Sequence, residues 1–516
     1  MKARLLPLLF ALVKFLSGYL LTSPAYELHR DEYLYLMHGR HLAWGYLEIP
    51  PLTAWQGALS MALGGAEGWV RGWPYLWGAA TVYLVVRLAG RLGGGWLSQC
   101  LAGACYLGTA YARLNLLFQP NSFEVLGFVL CQYALVAYWQ EGRPHYLYWL
   151  GAGLGLGLLN KYTTLFFIAA LGGALLLTPA RRVLASRHFW GAAALAALLW
   201  LPNVVWQLRH GLPFLHHMAL LRESQLVHVA AADFWKAQLV MSAAALWVWV
   251  PGLLALLLSR AFRPYRALGW LPVLGVGLLF GLSGKDYYAL GYYPVLFAFG
   301  ARWWELRLGG AVPRPAAWGW NTGLRAALLV LPLLLLLPLL PFIYPLRSPA
   351  AMQALAPRYR ALGLYRWEDG RQHALPQDYA DMLGWRELAD KTWAAYQALP
   401  AAVRAHTLIQ CDNYGQASAI NYFNRHRPLP EARSFNGSYL YWYPARTDYQ
   451  ALLLVDGAAP DPALAGHFAR LVRADSVRHP YARERGTAIV VGLGPDRAVL
   501  ARLQRARRAA LARWED

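Results

Sequence analysis

The chain is 516 residues long, 58% hydrophobic and only 15% charged, with a mean hydropathy of +0.29. Soluble domains carry about 25% charged and about 45–50% apolar residues, so an ordinary cytosolic enzyme and a disordered chain are both excluded. The formal charge of +21 comes from 48 bases against 27 acids, and only six of the bases are lysine. In a chain this apolar, a basic excess follows the positive-inside rule of membrane proteins rather than nucleic-acid binding. Cys100, Cys105, Cys131 and Cys411 show no metal or redox spacing and read as small core residues.

A helix needs about 17–25 apolar residues to cross a bilayer. Eleven stretches approach that length: 5–23, 74–91, 96–112, 123–139, 146–160, 162–178, 189–206, 236–258, 267–283, 288–303 and 323–343. The expectation is an integral membrane protein, mainly α, with about eleven transmembrane helices over 1–345. The first stretch has no small-residue cleavage site and reads as a signal anchor. With the N-terminus inside, fifteen of the 25 bases before residue 346 fall in inner loops. Nine of the eleven acids fall outside: Glu27, Asp31, Glu32, Glu48, Glu67, Glu124, Glu223, Asp233 and Asp286. Acids do not set topology, so their excess asks for another cause, and a site on the outer face supplies one. The glycine run GAGLGLGLLNK at 151–161 lies inside an apolar stretch and reads as close helix packing, not a dinucleotide loop.

An odd span count places 346–516 outside. That stretch is polar and reads as a soluble α/β domain, with strands at HTLIQCDN, YQALLLVDG and GTAIVVGLG and a helix at YGQASAINYFNRH. Asp412-Asn413-Tyr414-Gly415 falls at a strand-to-helix turn, a place for a ligand or simply a helix cap.

The densest chemistry is the first outer loop, HRDEYLYLMHGRHLAWGYLEIPPLTAW, residues 29–55. Two adjacent acids, a His-Arg-His group and a rigid Tyr-Leu-Glu-Ile-Pro-Pro turn sit together beside the bilayer. Such a loop suits carbohydrate and lipid phosphate better than a merely solvated surface. Asp-Glu followed by Gly45-Tyr46-Leu47-Glu48-Ile49-Pro50-Pro51-Leu52 resembles the first periplasmic loop of the bacterial family 39 glycosyltransferases. These are similar to the protein O-mannosyltransferases and the lipid A aminoarabinose transferase. Further stretches carrying the resemblance are LLFQPNSFEVLGF, GLGLLNKYTTLFF, LPNVVWQLRHGLPFLHHM, SGKDYYALGYYP and DNYGQASAINYF.

The resemblance implies a GT-C fold in the inner membrane of a bacterial cell envelope. It implies a polyprenyl-phosphate-sugar donor, hexosyl or pentosyl, and an acceptor outside the membrane: lipid, glycan or protein, with no nucleic acid. No cofactor is expected, and a divalent metal is left open. Sugar transfer from a lipid phosphate needs a base for the acceptor hydroxyl and cations for the leaving phosphate. Asp31 matches the family's catalytic aspartate and is expected as general base, with Glu32 orienting or capping beside it. Glu124 is the candidate second acid; relatives carry Asp in this region, whereas here Asn121 and Glu124 share a helix face, leaving open which serves. Lys161 and Lys285 end apolar stretches on the outer side and either meet phosphate or snorkel to the interface. Relatives place a lysine after the acid of the proline motif. Ile49 stands there in this chain, so part of the phosphate grip must come from elsewhere, such as Arg40, Lys161, Arg209 or Lys285. Tyr46, Glu48, Asn121, His210 and Tyr288 complete the expected substrate-binding set. The competing readings are a transporter or flippase of a lipid-linked glycan, which calls for internal repeats, and a phosphate-group transferase, which calls for a nucleophile or metal cluster. Neither signature is present in the sequence.

Overall fold

The computed structural model describes residues 2–224, 231–309, 320–457 and 465–515. Arg314, one of the expected inner-loop bases, lies outside the described residues.

Every one of the eleven apolar stretches falls on helix. Three helices, Asn121–Glu141, Arg187–Arg209 and Thr322–Ile343, are long and apolar enough to cross a membrane on their own. The number rises to five if two bent pairs, Thr164–Leu176 with Pro179–Ala185 and Ala231–Met241 with Ala243–Leu258, are single spans. Most of the remainder fall short because they are brief, whereas Glu67–Arg91, at 25 residues, is long enough but carries Glu67, Arg71, Arg87 and Arg91. Trp96–Leu107 has 12 residues and Arg266–Gly281 has 16, about 18–24 Å at 1.5 Å per residue.

Small residues draw the bundle together. A Cβ at Gly151 would lie 2.3 Å from the Ala192 carbonyl oxygen, so helix His145–Asn160 packs backbone to backbone against Arg187–Arg209. Between Trp96–Leu107 and Asn121–Glu141 the chain runs through 108–120 irregularly apart from one helical turn, Tyr111–Leu114. Its carbonyls are partly satisfied by Lys14, buried in helix Lys2–Leu20, whose ammonium donates to the Tyr111 oxygen at 3.0 Å and the Ala112 oxygen at 3.4 Å.

The first outer loop folds as helix Arg30–Arg40, a turn, and helix Leu52–Ala62. A capping box starts it: His29 accepts from the Asp31 N–H, and Glu32 reaches back to the His29 N–H at 2.6 Å. The C-terminal part carries one five-stranded sheet. Its strands are β1 (Thr407–Cys411), β2 (Arg433–Ser434), β3 (Ala451–Asp456), β4 (Phe468–Ser476) and β5 (Ala488–Pro495), in the order β2-β1-β3-β5-β4. β1 runs parallel to β2 and β3, while β5 is antiparallel to β3 and β4. The three expected strands are β1, β3 and β5. β2 is only two residues long, and β4 is an edge strand of mostly exposed residues, so neither gives an apolar pattern. One hydrophobic cluster joins Tyr33, Leu36 and Met37 of the first loop to Trp385, Ile409, Ile420 and Ile489. This cluster draws residues from both sides of the boundary expected at 345/346.

Candidate active site

A cavity of about 820 Å³ opens where the first loop, the irregular run 108–120, helix Pro213–Ser224 and the C-terminal part meet. Asp31, second residue of helix Arg30–Arg40, lies on its wall with its side chain 25% exposed. The Tyr414 hydroxyl donates to Asp31 Oδ1 at 2.7 Å and the Gln119 amide to Oδ2 at 3.3 Å. Tyr414 opens helix Tyr414–Phe423, which Asn413 caps through a capping box with Gln416. The strand-to-helix turn is therefore both a cap and a contributor to the cavity. Burial and then the Asp31 charge hold the Tyr414 phenol well above its usual range, so it remains a proton donor to that carboxylate.

Glu32 has a different surrounding. One residue on, about 100° further round the helix, it is fully buried. It accepts from the His29 N–H at 2.6 Å and the Phe118 N–H at 2.8 Å, and it pairs with Arg71 at 3.2 Å. It does not line the cavity, and its geometry is that of a brace between the first loop, helix Glu67–Arg91 and the run 108–120.

Lys161 ends helix His145–Asn160, and its ammonium donates to Asn121 Oδ1 at 2.8 Å and Glu124 Oε2 at 2.9 Å. The same ammonium sits 4.2 Å above the Tyr288 ring. Thr163 donates to the other Glu124 oxygen. Asn121 and Glu124, left as alternatives by the sequence, thus hold one lysine together. Lys161, Asn121 and Tyr288 line the cavity, while Glu124 stands behind them, 4% exposed. Lys285 lines the cavity too, with no ion pair among the described residues.

Glu48 lines the cavity from the proline turn. It accepts from the Ser438 N–H at 2.8 Å and from the Ser438 hydroxyl, and it lies 3.3 Å from His38 Nε2. Burial opposes its ionisation, but His38 and Ser438 prevail and bring its pKa down to about 2. Gly437, at φ +61°, makes this clasp possible: a Cβ there would fall 2.0 Å from Glu48 Oε1.

Four of the expected substrate-binding residues lie away from the cavity wall. Tyr46 is buried, stacked on His38 at 4.1 Å, with its hydroxyl donating to the His38 and His41 carbonyls; it shapes the loop. Arg40 is exposed at the far end of its helix. Arg209 is exposed, and His210 stacks on Trp206 at 4.2 Å. The wall also includes charged residues the sequence did not single out, among them His29, Arg30, Arg113, Asp378 and Asp381. Arg113 pairs with Asp378 at 2.8 Å, and Arg483 with Asp381 at 3.3 Å. His29 Nε2 lies 3.6 Å from Asp381 and 3.9 Å from Asp378. Burial favours the neutral imidazole, yet these carboxylates and Asp31 together raise its pKa. His29 and Arg30 adjoin Asp31 in the sequence, a usable signal; Asp378 and Asp381 carry none. Among the described residues no group of three or more His, Cys, Asp or Glu is placed to hold a metal ion.

The family model described as dolichyl-phosphate-mannose-protein mannosyltransferase matches residues 48–206. It begins at Glu48, after Asp31. A curated relative, lipid A galacturonosyltransferase RgtD of Rhizobium johnstonii, is 32% identical over 200 residues. That alignment spans 37% of this chain and 41% of the relative's length. Among solved structures, ArnT from Cupriavidus metallidurans bound to undecaprenyl phosphate superposes with a TM-score of 0.57 at 14% identity, covering 94% of this chain and 97% of that one. The chain has the ArnT fold. The family-model and relative matches accord with the glycosyltransferase resemblance that the first loop carries. The archaeal oligosaccharyltransferase AglB from Archaeoglobus fulgidus, solved with an inhibitory peptide and a dolichol-phosphate, follows at TM-score 0.50 and 11% identity, over 87% of this chain and 69% of that one.

Proposed function

We propose that the protein is a membrane glycosyltransferase. It moves a sugar, hexosyl or pentosyl, from a polyprenyl-phosphate donor to an acceptor at the outer face of a bacterial inner membrane. Residues 1–345 form the transmembrane catalytic part, and 346–516 form a periplasmic α/β domain that completes the cavity. The likeness in fold to ArnT, solved with undecaprenyl phosphate, supports a polyprenyl-phosphate ligand. The relative named for lipid A supports an envelope glycolipid as acceptor.

The observation that carries the reading is the placing of Asp31, Lys161 and Lys285 on one cavity wall. Asp31 takes the acceptor proton as general base. The two lysines hold the phosphate that leaves, which needs no proton of its own. Glu124 acts through Lys161, and Glu48 fixes the proline turn against the C-terminal part. The test is transfer of labelled sugar from a polyprenyl-phosphate donor by purified protein. Activity that disappears with Asp31→Asn while donor binding persists is the expected result, and a wild-type protein that moves the intact lipid-linked glycan across vesicles without transferring sugar refutes it.

A further inference from the structure

Arg30 precedes the proposed base and lines the same cavity. Its guanidinium lies 5.2 Å over the Tyr414 ring, and its nearest carboxylate oxygen, Asp31 Oδ1, is 3.6 Å from Nε, beyond hydrogen-bonding distance. Nε is buried without an acceptor, and among the described residues the guanidinium makes no hydrogen bond. Of the nearby acids, Asp378 is engaged by Arg113, Asp381 by Arg483 and Glu48 by Ser438 and His38, while Glu368 acts on Arg30 only through space, with no ion pair between them. The fold keeps Arg30 in this place. A Cβ at residue 415 would lie 2.5 Å from Arg30 Cγ, so Gly415 leaves the room that the side chain occupies, and Tyr414 provides the ring beneath it.

A planar fork of donors, stacked, desolvated on one edge and lacking an acceptor, suits a bidentate oxyanion. We infer that Arg30 forms an anion subsite beside Asp31, apart from the Lys161 and Lys285 phosphate grip, and that it takes a carboxylate or phosphate group carried by the sugar donor or the acceptor. The inference rests on the reading of the cavity as a sugar-transfer site, and it adds that one substrate is charged near the reacting centre. A merely structural arginine in this position would lower all substrates alike.

The first measurement is binding to the purified full chain by ligand-observed NMR, using a hexuronic acid, a hexose 6-phosphate and the neutral hexose as probes. Arg30→Gln is expected to weaken the charged probes about 10- to 100-fold more than the neutral one. Arg30→Lys, which keeps the charge but loses the fork, is expected to restore part of that difference. Gly415→Ala, which displaces Arg30 without changing it, is expected to follow Arg30→Gln. Equal losses for charged and neutral probes, or no loss, overturn the subsite. The second measurement is transfer, with hexuronosyl against hexosyl polyprenyl-phosphate donors and with phosphorylated against dephosphorylated glycolipid acceptors. The arm in which Arg30→Gln lowers kcat/KM selectively identifies which substrate bears the anion. Arg30-dependent binding without sugar transfer refutes the transferase reading and leaves the subsite standing; transfer without Arg30-dependent selectivity does the reverse.

Discussion

Adjacent carboxylates in the first loop give opposite expectations, and together they test the assignment of the base. Asp31 accepts two hydrogen bonds, from Tyr414 and Gln119, at a partly exposed position. Asp31→Asn keeps an acceptor for Tyr414 and strains only the Gln119 contact, so its stability cost is about 1 kcal/mol. Turnover falls by about 10²–10⁴, the usual worth of a general base. Glu32 is buried with Arg71 and two backbone N–H groups. Glu32→Gln leaves the Arg71 charge without its counter-ion, and breaking a buried pair costs about 3–5 kcal/mol. The assay measures two things on each purified variant in the same detergent: the unfolding midpoint, and single-turnover sugar transfer with donor saturating. The expected pattern is a stable, inactive Asp31→Asn and an unstable Glu32→Gln whose folded fraction still turns over. A stable Glu32→Gln without activity beside an Asp31→Asn at near-wild-type rate refutes the reasoning and moves the base to Glu32.

Lys161→Met removes the partner of a buried Glu124 along with the proposed phosphate contact. The donor Kd should rise more than the acceptor Kd, and Lys161→Met combined with Glu124→Gln should recover stability but not donor affinity. Glu48 has its folded pKa depressed to about 2. The stability it contributes is therefore fully present above its ordinary pKa near 4.5 and is lost as pH falls from there towards 2. Acid unfolding curves should diverge over that window, with Glu48→Gln lacking about 2–3 kcal/mol of the pH-dependent stability. Gly437→Ala, forced against Glu48 Oε1 at positive φ, should lower the unfolding midpoint and weaken the same acid-range dependence. A reporter fused after residue 350 should read periplasmic; a cytoplasmic reading would separate the C-terminal part from the outer face and refute the proposed orientation.

The sequence showed where the chemistry is concentrated better than which atoms carry it. The first loop stood out because acids, bases and prolines crowd beside an apolar stretch. Which acid faces the cavity was legible only through the family resemblance, which pointed to Asp31, because neighbours on a helix point about 100° apart and packing decides which goes inward. Among Arg40, Lys161, Arg209 and Lys285 composition offered no choice. Arg40 and Arg209 lie on exposed helix ends, whereas Lys161 and Lys285 line the cavity. Asp378 and Asp381 lie in QDYAD, a segment without periodicity or motif, and reach the cavity only through tertiary folding. The helices were legible from long apolar runs, and β1, β3 and β5 from short continuous ones. β4 was not, because an edge strand with Phe468 buried but interrupted by the exposed Arg470 and Arg473 gives too little apolar pattern to read.

The position of Ile49 shows how the cavity divides its charges. It lines the wall beside Glu48 and Pro50, at the place where relatives of the first-loop pattern carry a lysine. In the proposed reaction a sugar phosphodiester with one negative charge becomes a polyprenyl phosphate with two, while Asp31 gains a proton and loses its charge. Negative charge therefore moves across the cavity, from the carboxylate to the leaving phosphate. Cations that favour the transition state must sit at the far end of that movement, because a lysine close against Asp31 would stabilise the starting state instead. In that proposed reaction Lys285, with no ion pair among the described residues, is assigned the charge the donor already bears, and Lys161, paired with Glu124 and seated over Tyr288, is assigned the charge that develops. Asp31 meanwhile accepts hydrogen bonds only from neutral donors, Tyr414 and Gln119, while the Arg30 guanidinium, 3.6 Å from Oδ1, stays outside hydrogen-bonding distance.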